Sequence, residues 1–278
     1  MSSAIIGVAG MIEILGLGFF QNAIIAGILA AIACGIVGSF VVVRRMAATS
    51  GGISHAAFGG VGLGFFLGID PLIGAVIFTI GAACILWYLN VREMQETDTI
   101  TAAVWAVGMA LGIIFISITP GYPPDLFSYL FGNILLVPLT DIFLMALLLG
   151  VILAVVITLF PRLVAVTFDP EYAAVMGLPV SALKLVLFLL IALTIVPLIS
   201  VVGIILVIAL LTLPAATARL YTQSLKTMMI TAVLIGVVTV LIGIALSYAS
   251  NLPSGATIII LGAAIYGGAL AGRHLLLH

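Results

Sequence analysis

Thr-Phe-Asp-Pro-Glu-Tyr-Ala-Ala-Val-Met-Gly-Leu-Pro-Val, residues 167–180, is the one stretch of the chain built like a water-soluble helix. Asp169 can N-cap it, Pro170 fits the first helical position, and Glu171 falls in the first turn, where the helix dipole favours negative charge. Gly177 can close the helix in a left-handed C-cap, and Pro179 blocks its continuation. The result is about two turns, too short to cross a bilayer or to hold its shape alone in water. Such a helix needs something to dock against; the plainer reading is a connecting helix without a partner.

Outward from it, nearly everything reads as membrane span. Of 278 residues, 65% are hydrophobic and 6% charged, with a mean hydropathy of +1.50. A soluble domain carries about 25% charged residues, so this composition cannot cover a water-facing surface. The expectation is an all-α, polytopic helical membrane protein forming one membrane domain over 1–278. A net charge of -1 and the lack of a basic patch give no footing for nucleic acid. Cys34 and Cys84 both fall inside expected spans, which argues against a disulfide framework. The N-terminus lacks a basic segment, so a cleaved signal peptide is not expected.

Eight to nine spans are expected. Residues 1–19 are apolar but broken by glycines and Glu13, and read as an interfacial helix. Spans follow at about 20–43, 54–69, 71–91, 100–118, 139–160, 180–196, 201–218, 227–248 and 256–272. Residues 46–53 read as a small, polar, flexible loop. Residues 119–125 form a Pro-rich turn, and 126–138 is an apolar piece suited to a re-entrant half-helix, provided protein surrounds it.

Charge tests this layout. With the loop after Arg44 and Arg45 placed in the cytoplasm, Arg92, Arg162, Lys184, Arg219, Lys226 and Arg273 all fall on the same side, and no basic residue lies outside. That matches the positive-inside rule and puts residues 167–180 in the cytoplasm. Glu13, Asp70, Asp125 and Asp141 stay outside. Mid-span acids and bases are lacking, apart from His55 near a span end, which weighs against ion-coupled transport. No Gly-x-x-x-x-Gly-Lys-Ser/Thr phosphate loop, His-Glu-x-x-His zinc site or Gly-x-Ser-x-Gly elbow occurs. The chain therefore reads as a non-enzyme whose energy comes from elsewhere.

Two features remain. Ala56, Gly60, Gly64 and Gly68 repeat every four residues, which lets helix backbones approach closely in lipid; this helix packs tightly or lies near a pathway or dimer axis. His55 is either a hydrogen-bonded structural residue or a transient metal ligand, since imidazole suits zinc, copper, iron and nickel.

Four stretches, taken together in order and spacing, carry a resemblance: Gly38-Ser-Phe-Val-Val-Val-Arg-Arg-Met46, Ile53-Ser-His-Ala-Ala-Phe-Gly59, Phe168-Asp-Pro-Glu-Tyr-Ala173 with Gly177, and Leu213-Pro-Ala-Ala-Thr-Ala-Arg219. Over about residues 20–270 the chain resembles the permease subunits of zinc/manganese-type ABC importers. The resemblance implies a vitamin B12-importer-like core in a homodimer in a prokaryotic plasma membrane. It also implies two cytoplasmic ATPase subunits that bind ATP, and an extracytoplasmic solute-binding protein. No cofactor resides in this chain on that reading; a divalent metal is cargo. Residues 167–180 resemble the helix that docks into the ATPase, with Asp169, Pro170, Glu171, Tyr172 and Gly177 as coupling residues. His55 becomes a pathway ligand, and Gly60, Gly64 and Gly68 pathway or packing positions. Many family members have aspartate four residues before the histidine; here that position is Gly51, with Thr49, Ser50 or Asp70 as substitutes to be weighed. Two rivals stand beside this: the same role with another substrate such as a metal chelate, and a stand-alone channel or facilitator.

Overall fold

A computed structural model describes residues 17–92, 97–120, 126–132 and 134–276. All regular structure among them is helical. The long helices are α1 (Gly18–Val43), α2 (Ala47–Leu67), α3 (Pro71–Val91), α4 (Thr97–Ile118) and α6 (Leu139–Phe168). After the short α7 (Pro170–Val175) come α8 (Val180–Val202), α9 (Ile204–Arg219), α10 (Leu225–Ser250) and α11 (Ser254–Leu276). Between α4 and α6 lie α5 (Leu126–Phe131) and a 3-10 turn at Ile134–Leu136.

Seven of these helices are long and apolar enough to cross a membrane: α1, α3, α4, α6, α8, α10 and α11. The other two expected spans, α2 and α9, differ for a shared reason. The helix α2 is rich in Gly, Ser and Thr, and α9 has only 16 residues. Both are enclosed by protein, α2 between α3 and α4 and α9 among α1, α10 and α11. A helix walled in by other helices need not be apolar all round or match the lipid thickness.

Several boundaries differ from expectation. Residues 47–53 are not a flexible loop but the first turns of α2, with Thr49, Ser50 and Gly51 to Ile53 buried. Their small side chains let α4 lie against them. Pro161 does not end α6, which runs on to Phe168, and Pro197 does not end α8, which runs on to Val202. Proline inside a membrane helix is tolerated where neighbours re-satisfy the freed backbone groups, and Pro197 is buried. The 126–138 piece is no continuous half-helix: it breaks at Gly132, whose φ is +68°, into α5 and the 3-10 turn. Of the 1–19 segment, residues 1–16 lie outside the described residues, while Gly18 and Phe19 begin α1. Asn133 and residues 121–125 of the Pro-rich turn also lie outside them.

Glycines set the closest helix approaches. A Cβ at Gly60 would overlap the Gly74 carbonyl, and one at Gly74 the Gly60 carbonyl, so α2 and α3 touch backbone to backbone. Gly38 stands in the same relation to the Leu211 carbonyl, joining α1 to α9. Backbone cannot swing aside as a side chain can. Gly60→Val should therefore destabilise at the upper end of the about 1–3 kcal/mol typical of overpacking. The check is the thermal midpoint and monodisperse yield in detergent against Gly81→Val, since Gly81 has nothing within 4 Å.

Candidate functional site

At the basic end of the helices, α7 is built as its sequence requires. The Asp169 carboxylate accepts the Tyr172 backbone N–H at 2.8 Å, Pro170 takes the first turn, and Glu171 sits beside it. The far end closes on Gly177, φ +74°, with the Gly177 N–H donating to the Ala174 carbonyl at 2.9 Å and the Leu178 N–H to that of Ala173 at 3.0 Å. This pair of bonds is the glycine C-cap. Ala173 is buried and anchors the helix. The opposite side is apolar and open: Phe168 is 60% exposed, Tyr172 60%, Val175 86% and Met176 63%. The structure thus brings Asp169, Pro170, Glu171, Tyr172 and Gly177 into one motif and adds Phe168, Val175 and Met176. The signal for these three was their apolar character in a segment otherwise built for water.

One arginine ties the root of this motif to α1, and a second ties α1 to α9. Arg44, the residue closing α1, donates from Nη1 to the Val166 carbonyl at 2.6 Å, in the last turn of α6. Arg219, ending α9, donates from Nη1 to the Val42 carbonyl at 2.9 Å, in the last turn of α1. Arg44 satisfies an orphan carbonyl, and Arg219 adds a second bond to one that the Arg45 N–H already meets; both lie at a neighbour's C-terminus, where the helix dipole favours a cation. Burial pulls Arg44 below its ordinary pKa.

His55 is buried in α2, 7% exposed, and its ring stacks on Trp105 of α4 at 4.1 Å between centroids and 11° between planes. Its Nδ1 is buried without a hydrogen-bond partner. The nearby hydroxyls are engaged elsewhere: Ser50 Oγ donates to the Ala47 carbonyl and Ser54 Oγ to that of Ser50. Asp70 caps the start of α3, fifteen residues on, and a helical rise of about 1.5 Å per residue puts it roughly 20 Å away. It cannot share a ligand with His55. Among the described residues no group of three or more His, Cys, Asp or Glu could hold a metal.

Gly60 and Gly64 face α3: a Cβ at Gly64 would come 2.6 Å from the Pro71 Cα. At about 100° per residue, Gly60 lies roughly 140° round the helix from His55. Gly68 makes no such contact; it ends α2 in the left-handed conformation, φ +67°.

At the acidic end the structure assembles a cavity of about 120 Å³ lined by Val61, Asp70, Tyr129, Asp141 and Ser200 among others. Asp70 Oδ1 accepts the Leu72 N–H at 2.8 Å, and Ser200 Oγ reaches Asp141 Oδ2 at 3.5 Å. Burial, then Asp70 and Asp141, push the Tyr129 phenol upward, so it remains neutral beside the two carboxylates. The sequence places both aspartates on this side; α5 brings Tyr129 and α8 brings Ser200 to them.

The model of the ABC 3 transport family matches residues 17–272. An uncharacterised membrane protein of Synechocystis is 44% identical over 96% of this chain and 95% of its own length. The manganese import system permease protein ScaB of Streptococcus gordonii is 37% identical over 89% of each chain. The solved structure of PsaBC from Streptococcus pneumoniae in complex with Fab superposes with a TM-score of 0.85 at 36% identity, over 94% of this chain and 95% of that one.

Proposed function

The chain belongs to the ABC 3 transport family, and on that premise we propose that it is the permease subunit of an ATP-driven importer of a divalent transition metal, manganese before zinc, in a prokaryotic plasma membrane. The observation that carries the reading is the capped α7 helix with an open apolar face at the basic, cytoplasmic end of the bundle. A two-turn helix outside the membrane that shows Phe168, Tyr172, Val175 and Met176 to water is a docking element. The partner it fits is an ATPase subunit, which supplies the energy source this chain lacks. Manganese is favoured because the permease relative at 37% identity, ScaB, is named for manganese import.

The transport cycle follows from the placement of charge. A solute-binding protein delivers the cation to the outer end, where the carboxylates of Asp70 and Asp141 lower its potential. Two copies of the chain form the pathway, and His55 offers its free Nδ1 as a transient ligand. One neutral imidazole per chain binds weakly, which suits a carrier that must release. Closure of the ATPases moves α7, and the arginine ties from α1 and α9 pass that motion to the bundle.

Val175→Asp tests the docking face. Val175 is 86% exposed, so the change should cost little folding stability, while a carboxylate in an apolar cleft should weaken association by tenfold or more, about 1.4 kcal/mol. The chain is purified with its candidate ATPase in nanodiscs, and co-elution and uptake of radioactive manganese are followed. Loss of both in the variant supports the permease reading. Metal flux through this chain alone, with no ATPase bound, overturns it in favour of a channel.

A further inference from the structure

We propose that Arg45 is a second docking residue for the ATPase subunit: its guanidinium meets an acidic side chain beside the cleft that receives α7. This rests on the permease reading above and adds a charged contact to the apolar one.

Three observations point there. First, the backbone holds Arg45 in a conformation that arginine disfavours. Its φ is +58°, and among the described residues the other non-glycine with positive φ is Asn251. Asparagine accepts the left-handed region, whereas a longer side chain is strained there. The turn imposes it. The Met46 N–H donates to the Val41 carbonyl at 2.8 Å and the Arg45 N–H to that of Val42 at 3.2 Å. That pair of bonds closes a helix on a left-handed residue, most often glycine. Arg44 on one side is held to Val166, and Met46 on the other is buried, so Arg45 has no room to relax. Second, the side chain bonds nothing in its own chain. Arg44 and Arg219 each donate to a neighbour's carbonyl, but exposed Arg45 makes no hydrogen bond or ion pair among the described residues. Ala47 and Ala48 after it are exposed and small, which leaves a partner space to approach. Third, the place suits a protein rather than lipid. The helix α1 is packed on α2, α6, α8, α9 and α10, so its basic end opens inside the cytoplasmic face and not at the bundle's lipid edge. Through the Arg44–Val166 bond, Arg45 lies at most roughly 20 Å from Asp169, by standard backbone and side-chain lengths. An interface of about 800 Å² per partner is roughly 30 Å across. A subunit seated on α7 and reaching under the bundle therefore covers Arg45.

The chemistry assigns the two contacts different tasks. The apolar face of α7 supplies affinity but little register. A guanidinium presents a planar fork that grips a carboxylate through two bonds and so fixes orientation. Arg45 sits at the end of α1, the helix that Arg44 and Arg219 tie to α6 and α9. A pull on its guanidinium reaches the same helices as a push on α7.

The test sets stability against binding. Arg45→Gly and Arg45→Asn both relieve the left-handed residue, so the thermal midpoint of the permease should hold or rise by about 2 °C. The same variants, in phosphatidylcholine nanodiscs with the candidate ATPase, should bind it about three- to fivefold more weakly at low salt. The gap should close in about 0.5 M NaCl, where an exposed pair is screened. Arg45→Lys, which keeps the charge and loses the fork, should be intermediate, and Arg45→Glu weakest. A side chain that serves only the fold cannot produce this split. A midpoint that falls in both the glycine and asparagine variants overturns the proposal. So does unchanged association, the result expected if the charge serves only to orient the chain during insertion. A deficit that appears only when the nanodiscs contain phosphatidylglycerol assigns Arg45 to a lipid headgroup and overturns it too. A parent that binds no ATPase refutes the permease reading and this contact with it; variants that match a binding parent refute the contact alone.

Discussion

Gly177→Pro should reduce ATP-driven metal uptake to less than about a tenth of the parent rate while leaving the protein inserted and folded. Gly177 sits at φ +74°, and proline locks φ near -65°. Proline also removes the N–H that donates to the Ala174 carbonyl, so half of the C-cap is lost with the turn. The chain then leaves α7 in another direction, and Val175 and Met176 no longer face where the partner sits. Folding should survive, because Gly177 lies outside the spans and has no atom within 4 Å of a would-be Cβ. The substitutions should rank by their tolerance of the left-handed region. Asparagine should come nearest the parent; alanine should be intermediate, with strain of about 1–2 kcal/mol; proline should be worst. Uptake and ATP hydrolysis measured on the same reconstituted complexes decide the matter. Parent-level uptake in the proline variant would remove α7 from the coupling role.

That ranking can be written at all because the sequence of α7 is local in its logic. Asp169, Pro170, Glu171 and Gly177 each act within one turn of themselves, so cap chemistry placed them without knowledge of the fold. The long spans were legible for a similar reason, since hydropathy and the eight basic residues depend on lipid and charge rather than on neighbours. What resisted reading was whatever depends on a neighbour. Residues 47–53 look like a loop until α4 is laid against them, and their small side chains then become the condition for burial. Pro161 and Pro197 look like stops, yet α6 and α8 run through both, because a long membrane helix tolerates one missing backbone bond. The outer cavity could not be seen because Asp70, Tyr129, Asp141 and Ser200 come from four separate parts of the chain. The stack of His55 on Trp105, fifty residues apart, has no periodic signature at all. Gly68 keeps the four-residue spacing of a packing or pathway stripe, but within this chain it caps the end of α2 instead of meeting α3.

Arg44→Ala should uncouple the machine from the inside, with ATP hydrolysis continuing while metal moved per ATP falls several-fold. The guanidinium is half-buried and donates at 2.6 Å to the Val166 carbonyl, three residues before Asp169 caps α7. A hydrogen bond to a charged group contributes about 1.5–3 kcal/mol, so alanine should lower stability by that order and leave the carbonyl unpaired. The effect on transport should exceed the effect on stability, because this bond links the end of α6, and so the root of α7, to α1. From α1 the link continues through Val42 to Arg219 and α9. Without it a push on α7 can be absorbed by bending the end of α6. Arg219→Ala should do less, since its side chain is exposed and its bond is longer at 2.9 Å. The measurement is the ratio of manganese transported to ATP hydrolysed, taken well below each variant's melting midpoint so that lost stability does not enter. A ratio equal to the parent's in Arg44→Ala would mean that the stroke reaches the bundle by another route, with α8, the helix that follows α7 directly in the chain, as the next element to test.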